Sequence, residues 1–203
     1  MKARKILVSL AALALVAAIS IGGTLAYLTS TAKVENTFTV GNVSITLDEA
    51  KVDEYGAPVE NADRVPGNAY KLIPGHTYTK DPTIHVGNLS ENCYLFVKVE
   101  NGLGDVESTI TTQMATLGWK AVNGADGNAN PGVYAWYGKT DGTVNTTRAI
   151  VTAGADVEVF NNFTFDGLAV PTQYEDAKIV VTAYAIQADG LASETDAELW
   201  AKF

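Results

Sequence analysis

Cysteine is nearly absent from this chain, and that scarcity sets the first limit on how it is held together. Cys93 is the single cysteine among 203 residues, so no intrachain disulfide forms and packing must hold the fold. Its setting, Cys93-Tyr94-Leu95-Phe96-Val97, is apolar and strand-like, which predicts a buried, reduced thiol. Histidine is almost as scarce. The only two, His76 and His85, lie an odd number of positions apart around Pro82, and neither belongs to a His-Glu-x-x-His run or a Cys/His cluster. A zinc site built from neighbouring ligands is therefore excluded, and surface histidines near strand ends are expected. Also missing are a Gly-x-Ser-x-Gly elbow, a dinucleotide fingerprint and a phosphate loop, while Cys93 has no sequence-local base. A triad built from distant residues stays open, but nothing in the sequence points to one. The expectation is a protein that is not an enzyme and uses no cofactor or metal.

Positive charge is the other shortage. The chain carries 14 basic against 23 acidic residues, and three of the basic ones fall in the first 26 positions, which hold no acid. The remaining 177 residues thus carry 11 basic and 23 acidic side chains, a net charge of −12. That balance repels phosphate backbones, which argues against nucleic acid as a partner and favours solubility at a cell surface. The length suits one domain with a substantial core.

The basic residues of the N-terminus have a purpose of their own. Lys2, Arg4 and Lys5 precede an uncharged stretch from Ile6 to Ala32 whose apolar heart, Ile6 to Ile21, gives way to Gly22-Gly23-Thr24-Leu25-Ala26. A basic start, an apolar middle and a small-residue end form the layout of a secretory signal peptide, with cleavage expected between Ala26 and Tyr27. The alternative is a retained anchor, since the apolar stretch approaches the lower bilayer-spanning limit of about 17 residues. Either reading puts the chain from Tyr27 onward outside the cytoplasm, as a secreted protein or one held at the cell surface.

The rest of the chain alternates as strands do. Residues 38–47 contain Val43, Ile45 and Leu47 alternating with Ser44 and Thr46, a strand with one buried face. Residues 48–69 read as an acidic, exposed connection with little to bury. His76 to Val86 resumes as extended chain, with Pro82 marking an edge or bulge. Cys93 to Val99 is the clearest strand. Val106, Ile110, Met114 and Leu117 recur at helical spacing, which predicts a short helix with Asp105 as N-cap. Trp119 opens another strand, 123–132 reads as a loop, Tyr134 to Tyr137 as a short strand, and Asp141-Gly142 as a hairpin turn. Val157 to Phe165 alternates, with Asn161 hinting at a bulge or strand end. Lys178 to Gln187 reads as a long strand apolar on both faces, which predicts a central strand. Ser193-Glu194-Thr195-Asp196 resembles a capping box ahead of a terminal helix that uses Trp200 as a plug. There is no internal repeat and no low-complexity linker. The domain reading is a signal peptide at 1–26, an N-terminal leader at 27–37 that is a candidate donor strand, and a β-sandwich domain at 38–203. The fold class expected is mainly β, an antiparallel jelly-roll-like or Ig-like sandwich with one or two short helices.

Two acidic groupings invite a calcium reading. Asp126, Asn128 and Asn130 match the first three ligand positions of a calcium loop, but Pro131 stands where glycine is required and Tyr137 where Glu is required. This is not an EF-hand. Weak calcium binding there, or at Asp48, Glu49, Asp53 and Glu54, stays open beside the plainer reading of solvated acidic loops.

The junction Gly22-Gly23-Thr24-Leu25-Ala26-Tyr27-Leu28-Thr29 and the opening strand Phe38-Thr39-Val40-Gly41-Asn42-Val43 resemble the TasA/camelysin family of biofilm-matrix and cell-surface proteins. Leu72-Ile73-Pro74-Gly75 is a looser match to that family's Leu-x-Pro-Gly. The resemblance implies export through a SipW-like signal peptidase and residence in the extracellular matrix or on the cell surface. It also implies fibre formation with other copies of the chain, other matrix proteins being further partners, in which a freed N-terminal segment adds as a strand to the next subunit. Tyr27, Leu28, Val34, Phe38 and Val40, with threonines between, are the strand-donor residues this implies. Other readings stand beside it: residues 27–37 as a plain leader, or a monomeric surface binding module. Camelysins have been classed as metallopeptidases, which here would require His76 or His85 to meet carboxylates such as Asp81 around a metal-bound water. Two histidines nine positions apart around a proline do not offer the rigid face such a site needs.

Overall fold

The computed structural model describes residues 42–104, 107, 109–123, 129–166, 174 and 176–203. The signal segment, the Ala26/Tyr27 junction, the proposed donor residues Tyr27, Leu28, Val34, Phe38 and Val40, the cap Asp105 with Val106, and Asp126 and Asn128 lie outside them.

Period-2 alternation builds two antiparallel layers. The first contains β1 (Ile45–Asp48), β3 (Thr83–Val86) and β9 (Asp156–Glu158) in the order β1-β3-β9. Beside it β2 (Thr77–Thr79) pairs with β10 (Asn162–Thr164), placing Tyr78 opposite Phe163. The two ladders are one ribbon interrupted at Pro82: Val159 N–H donates to Pro82 O at 2.9 Å and Lys80 N–H to Asn161 O at 3.1 Å. Proline has no N–H to give, so the break falls where the sequence puts it. The second layer runs β11-β4-β6-β5, with β4 (Cys93–Asn101), β5 (Trp119–Asn123), β6 (Ala129–Trp136) and β11 (Ile179–Gln187).

Strand β4 explains why the layers stack. Its odd positions Cys93, Leu95, Val97 and Val99 enter the core between the layers, against Ile84, Val86, Val157 and Phe163. Its even positions Tyr94 and Phe96 enter a second cluster on the outer side, with Val122, Val133, Ala135 and Leu199. Burying side chains of this size contributes roughly 1.5–3 kcal/mol each. The main core also takes Ile110 and Met114 from α1 (Thr109–Leu117). The outer cluster is closed by α2 (Asp196–Trp200), where Leu199 is fully buried and Trp200 meets the ring of Tyr184 at 4.9 Å. Arg148 fixes that helix, its guanidinium 2.5 Å from Asp196 Oδ1 and 4.8 Å from the Tyr94 ring. Among the described residues the architecture is thus a mainly β, antiparallel sandwich with two short helices.

Several local expectations need correction. Strand β1 begins at Ile45, later than the alternation from Phe38 suggested for the described part. The cap expected at Asp105 lies outside the described residues; Glu107 Oε1 accepts Thr109 N–H at 2.7 Å and Ile110 N–H at 3.2 Å. Strand β6 takes in Asn130, Pro131 and Gly132, read from sequence as loop. Gly132 has φ +74°, and a Cβ there would lie 2.3 Å from Val99 O, so only glycine lets the bulged strand lie against β4. The terminal capping box is framed two residues later than expected. Thr195 Oγ1 accepts Glu198 N–H while Glu198 accepts Thr195 N–H. Strand β11 is apolar on both faces but stands at the sheet edge among the described residues, where β4 takes the centre. Finally, 48–69 is no empty excursion: Glu49 and Val52 are each 3% exposed within it.

The hairpin of β7 (Lys139–Thr140) and β8 (Thr143–Val144) follows expectation. Asp141 (φ 50°) and Gly142 (φ 77°) supply the paired positive φ angles of the tightest hairpin turn.

Candidate functional site

The two sheet edges that the layering leaves open face a common groove. Among the described residues strand β1 is paired only with β3 and strand β11 only with β4, and the two run near each other with Cα atoms inside 8 Å but no ladder between them. Beside them opens a groove of about 810 Å³, walled by Leu47 on β1, by Ile179 and Val181 on β11, by Pro66 to Leu72, and by Leu103 and Phe163. Its aromatic flank is ordered. Tyr70 meets Tyr78 and Phe163 edge-on at 5.5 and 5.2 Å, and its hydroxyl donates to Thr79 O at 3.0 Å. Burial, aided by the nearby Glu49 carboxylate, raises the Tyr70 hydroxyl pKa well above its usual value.

The outer face of the β1-β3-β9 layer carries a polar assembly that fixes the β1 wall. His85 pairs across the ladder with Thr46 on one side and Asp156 on the other. Its Nδ1 lies 2.6 Å from Asp156 Oδ1 and its Nε2 2.9 Å from Asp48 Oδ1. The hydrogen bond to Asp48 raises the imidazole pKa above 6.5; burial opposes this, and Asp156 reinforces it. For Asp48, burial resists ionisation, but hydrogen bonds from Arg64 and His85 outweigh it and hold the carboxyl below 3.8. Arg64 reaches over this face from the excursion, pairing with Asp48 and, at 2.9 Å, with Asp81 Oδ2. It also donates to Thr83 Oγ1 at 3.0 Å.

The sequence-derived candidates fall as follows. His76 Nε2–H donates to Tyr55 O, 2.8 Å away, and His76 shares no partner with His85. Asp81, the carboxylate that a metallopeptidase reading would enlist, instead binds Arg64 and accepts Ala50 N–H at 2.6 Å. Among the described residues no group of three or more His, Cys, Asp or Glu side chains is arranged to hold a metal ion. Asp48, Glu49 and Asp53 do not form one solvated acidic patch. Asp48 faces Arg64 and His85, Glu49 faces Lys80 and Asn68, and Asp53 accepts the turn amides of Tyr55 and Ala57 at 2.9 Å. Cys93 is fully buried, and burial pushes its thiol up to about 11, which keeps it inert at neutral pH. Sequence reasoning missed the groove because its walls come from stretches more than a hundred positions apart.

Among the described residues no helix is long and apolar enough to cross a membrane. Set against known proteins, the chain matches no family model, no curated protein and no solved structure.

Proposed function

We propose that this is an exported, non-enzymatic structural protein of the cell surface or biofilm matrix that polymerises by strand donation. The groove between β1 and β11 is the acceptor in this reading, and residues 27–40 of a second copy are the donor. The observation that carries the reading is the pair of edge strands opening onto one apolar groove. An edge strand presents unpaired N–H and C=O groups, and adding a strand satisfies them while side chains fill the groove.

The donor sequence suits that site. Leu28, Ala32, Val34, Phe38 and Val40 share one parity, interrupted by Ser30 and Asn36, while Tyr27, Thr29, Thr31, Lys33, Glu35, Thr37 and Thr39 share the other. One face would enter the groove and the other would meet solvent. Lys33 and Glu35 are the only charges in that stretch, and both fall on the row that would meet solvent. Cleavage after Ala26 by a SipW-like peptidase would be the switch, since an N-terminus tethered in a membrane is not free to reach a neighbour. The jelly-roll-like topology and the TasA/camelysin relationship belong to the same proposal.

The test compares purified chains 27–203 and 38–203 by light scattering and electron microscopy. Fibres from the longer chain alone support donation. Fibres from both clear 27–37 of the donor role. Absence of assembly by either, across pH and added salt, makes a monomeric surface protein the better reading. Because the mature chain carries a net charge of −12, growth should improve with salt, which screens repulsion between copies.

A further inference from the structure

The excursion after β1 buries a carboxylate between an amine and a carboxamide. Glu49 has a side chain only 4% exposed and Lys80 one only 11% exposed. Glu49 Oε2 accepts Lys80 Nζ at 2.5 Å. The other oxygen, Oε1, accepts both the backbone N–H of Asn68 at 2.7 Å and its Nδ2 at 2.9 Å. The carboxamide is held at every polar atom: Nδ2 also donates to Ala50 O at 2.8 Å, and Oδ1 accepts Val52 N–H at 3.1 Å.

An ion pair alone needs only the first of these contacts, and burying one rarely adds stability once desolvation is counted. The remaining contacts have a chemical meaning. One carboxylate bridges the nitrogen of a primary amine and the nitrogen of a primary amide, which places a proton acceptor and donor between nucleophile and leaving group. A fixed backbone N–H sits on the amide oxygen, where negative charge would develop on attack. Holding these groups together around one buried carboxylate replaces a bimolecular encounter by an intramolecular one.

We infer that Lys80 and Asn68 become joined by an isopeptide bond, formed by the protein itself with Glu49 as proton carrier. Lys80 Nζ gives a proton to Glu49 and attacks Asn68 Cγ, and the oxyanion on Oδ1 is met by the Val52 N–H. Glu49 hands the proton to Nδ2, and the Cγ–Nδ2 bond breaks. The two protons lost by the lysine ammonium leave with the amide nitrogen as ammonium, and Glu49 returns to its starting state. No oxidant, metal or co-reactant enters. The bond closes the loop between positions 68 and 80, which carries the Asn68 to Leu72 wall of the groove, and so staples that wall to the end of β2.

The test is the intact mass of the purified whole chain, compared with the mass of the sequence counted from its observed N-terminus. The wild-type protein should be lighter by one ammonia, and trypsin should leave Lys80 uncut within a branched peptide containing Asn68. Lys80→Arg keeps a cation beside Glu49 but cannot form the bond, so it should return to full mass, as should Glu49→Gln. Wild-type protein at full mass would overturn the inference. A mass loss that survives Lys80→Arg would also overturn it, because it would mark ring closure of Asn68 onto its own backbone. None of these outcomes depends on fibre formation.

Discussion

Strands β4 and β11 lie side by side in full register, Cys93 opposite Gln187 through Asn101 opposite Ile179, yet they live in different surroundings. Both are nine residues long and apolar on both faces. Strand β4 is paired on both edges, and Cys93 through Val97 are all buried. Strand β11 has no fully buried residue, and Val180 is 42% exposed. Two-sided hydrophobicity therefore reports that both faces are covered; it does not report that both edges are paired. A strand with covered faces and one bare edge keeps the means to bind another strand.

Substitutions along the two strands should separate these properties. Leu95→Ala, in the centre of β4, should cost about 2–5 kcal/mol in urea unfolding, because the cavity left in a packed core relaxes only partly. Val181→Ala, on the same face of β11, should cost about 1 kcal/mol, since fewer neighbours lose contact. Equal losses would erase the distinction. Thr195→Ala removes the cap of the helix covering the outer face of both strands and should cost about 1 kcal/mol. Val180→Lys should change stability by no more than about 0.5 kcal/mol while suppressing assembly, because a lysine on an open edge blocks strand addition.

The β1 side of the groove should respond to pH. The His85 imidazole is raised above 6.5, so its contribution is fully present below 6.5 and fades as pH rises through the folded value. Asp48 is held below 3.8, so its contribution is present above 3.8 and is lost as pH falls through its folded value. Unfolding free energy of the wild type relative to His85→Gln should therefore be most favourable between these limits. A flat difference across that range would remove the pairing from the account. Its size should be modest, since His85 is 29% exposed and solvent screens the pair.

Much of the sandwich was legible in the sequence because its signals are local. Asp141-Gly142 announces its hairpin by residue type, Pro82 announces its break by a missing N–H, and β4 announces itself by unbroken β-branched and aromatic alternation. Signals that depend on distant partners were not legible. Glu49 looked like part of a solvated acidic run, yet Lys80 and Asn68 bury it. Pro131-Gly132 looked like loop, yet Gly132 is where β6 must approach the backbone of Val99. The capping box was placed at Ser193, although Thr195 with Glu198 completes it. The donor residues could be named from sequence because they are contiguous. The groove could not, because pairing elsewhere decides which strand edges stay bare.

The central claim is that the bare edges of β11 and β1 accept the segment 27–40. Amide hydrogen exchange on chain 38–203, with and without a synthetic peptide of sequence 27–40, tests this without requiring fibres. Before the peptide is added, the outward amides of Ile179–Gln187 should exchange faster than those bonded to β4. On addition they should slow, together with outward amides of Ile45–Asp48, while β5 on the opposite edge stays unchanged. Unaltered exchange at both β1 and β11 under saturating peptide would contradict the account.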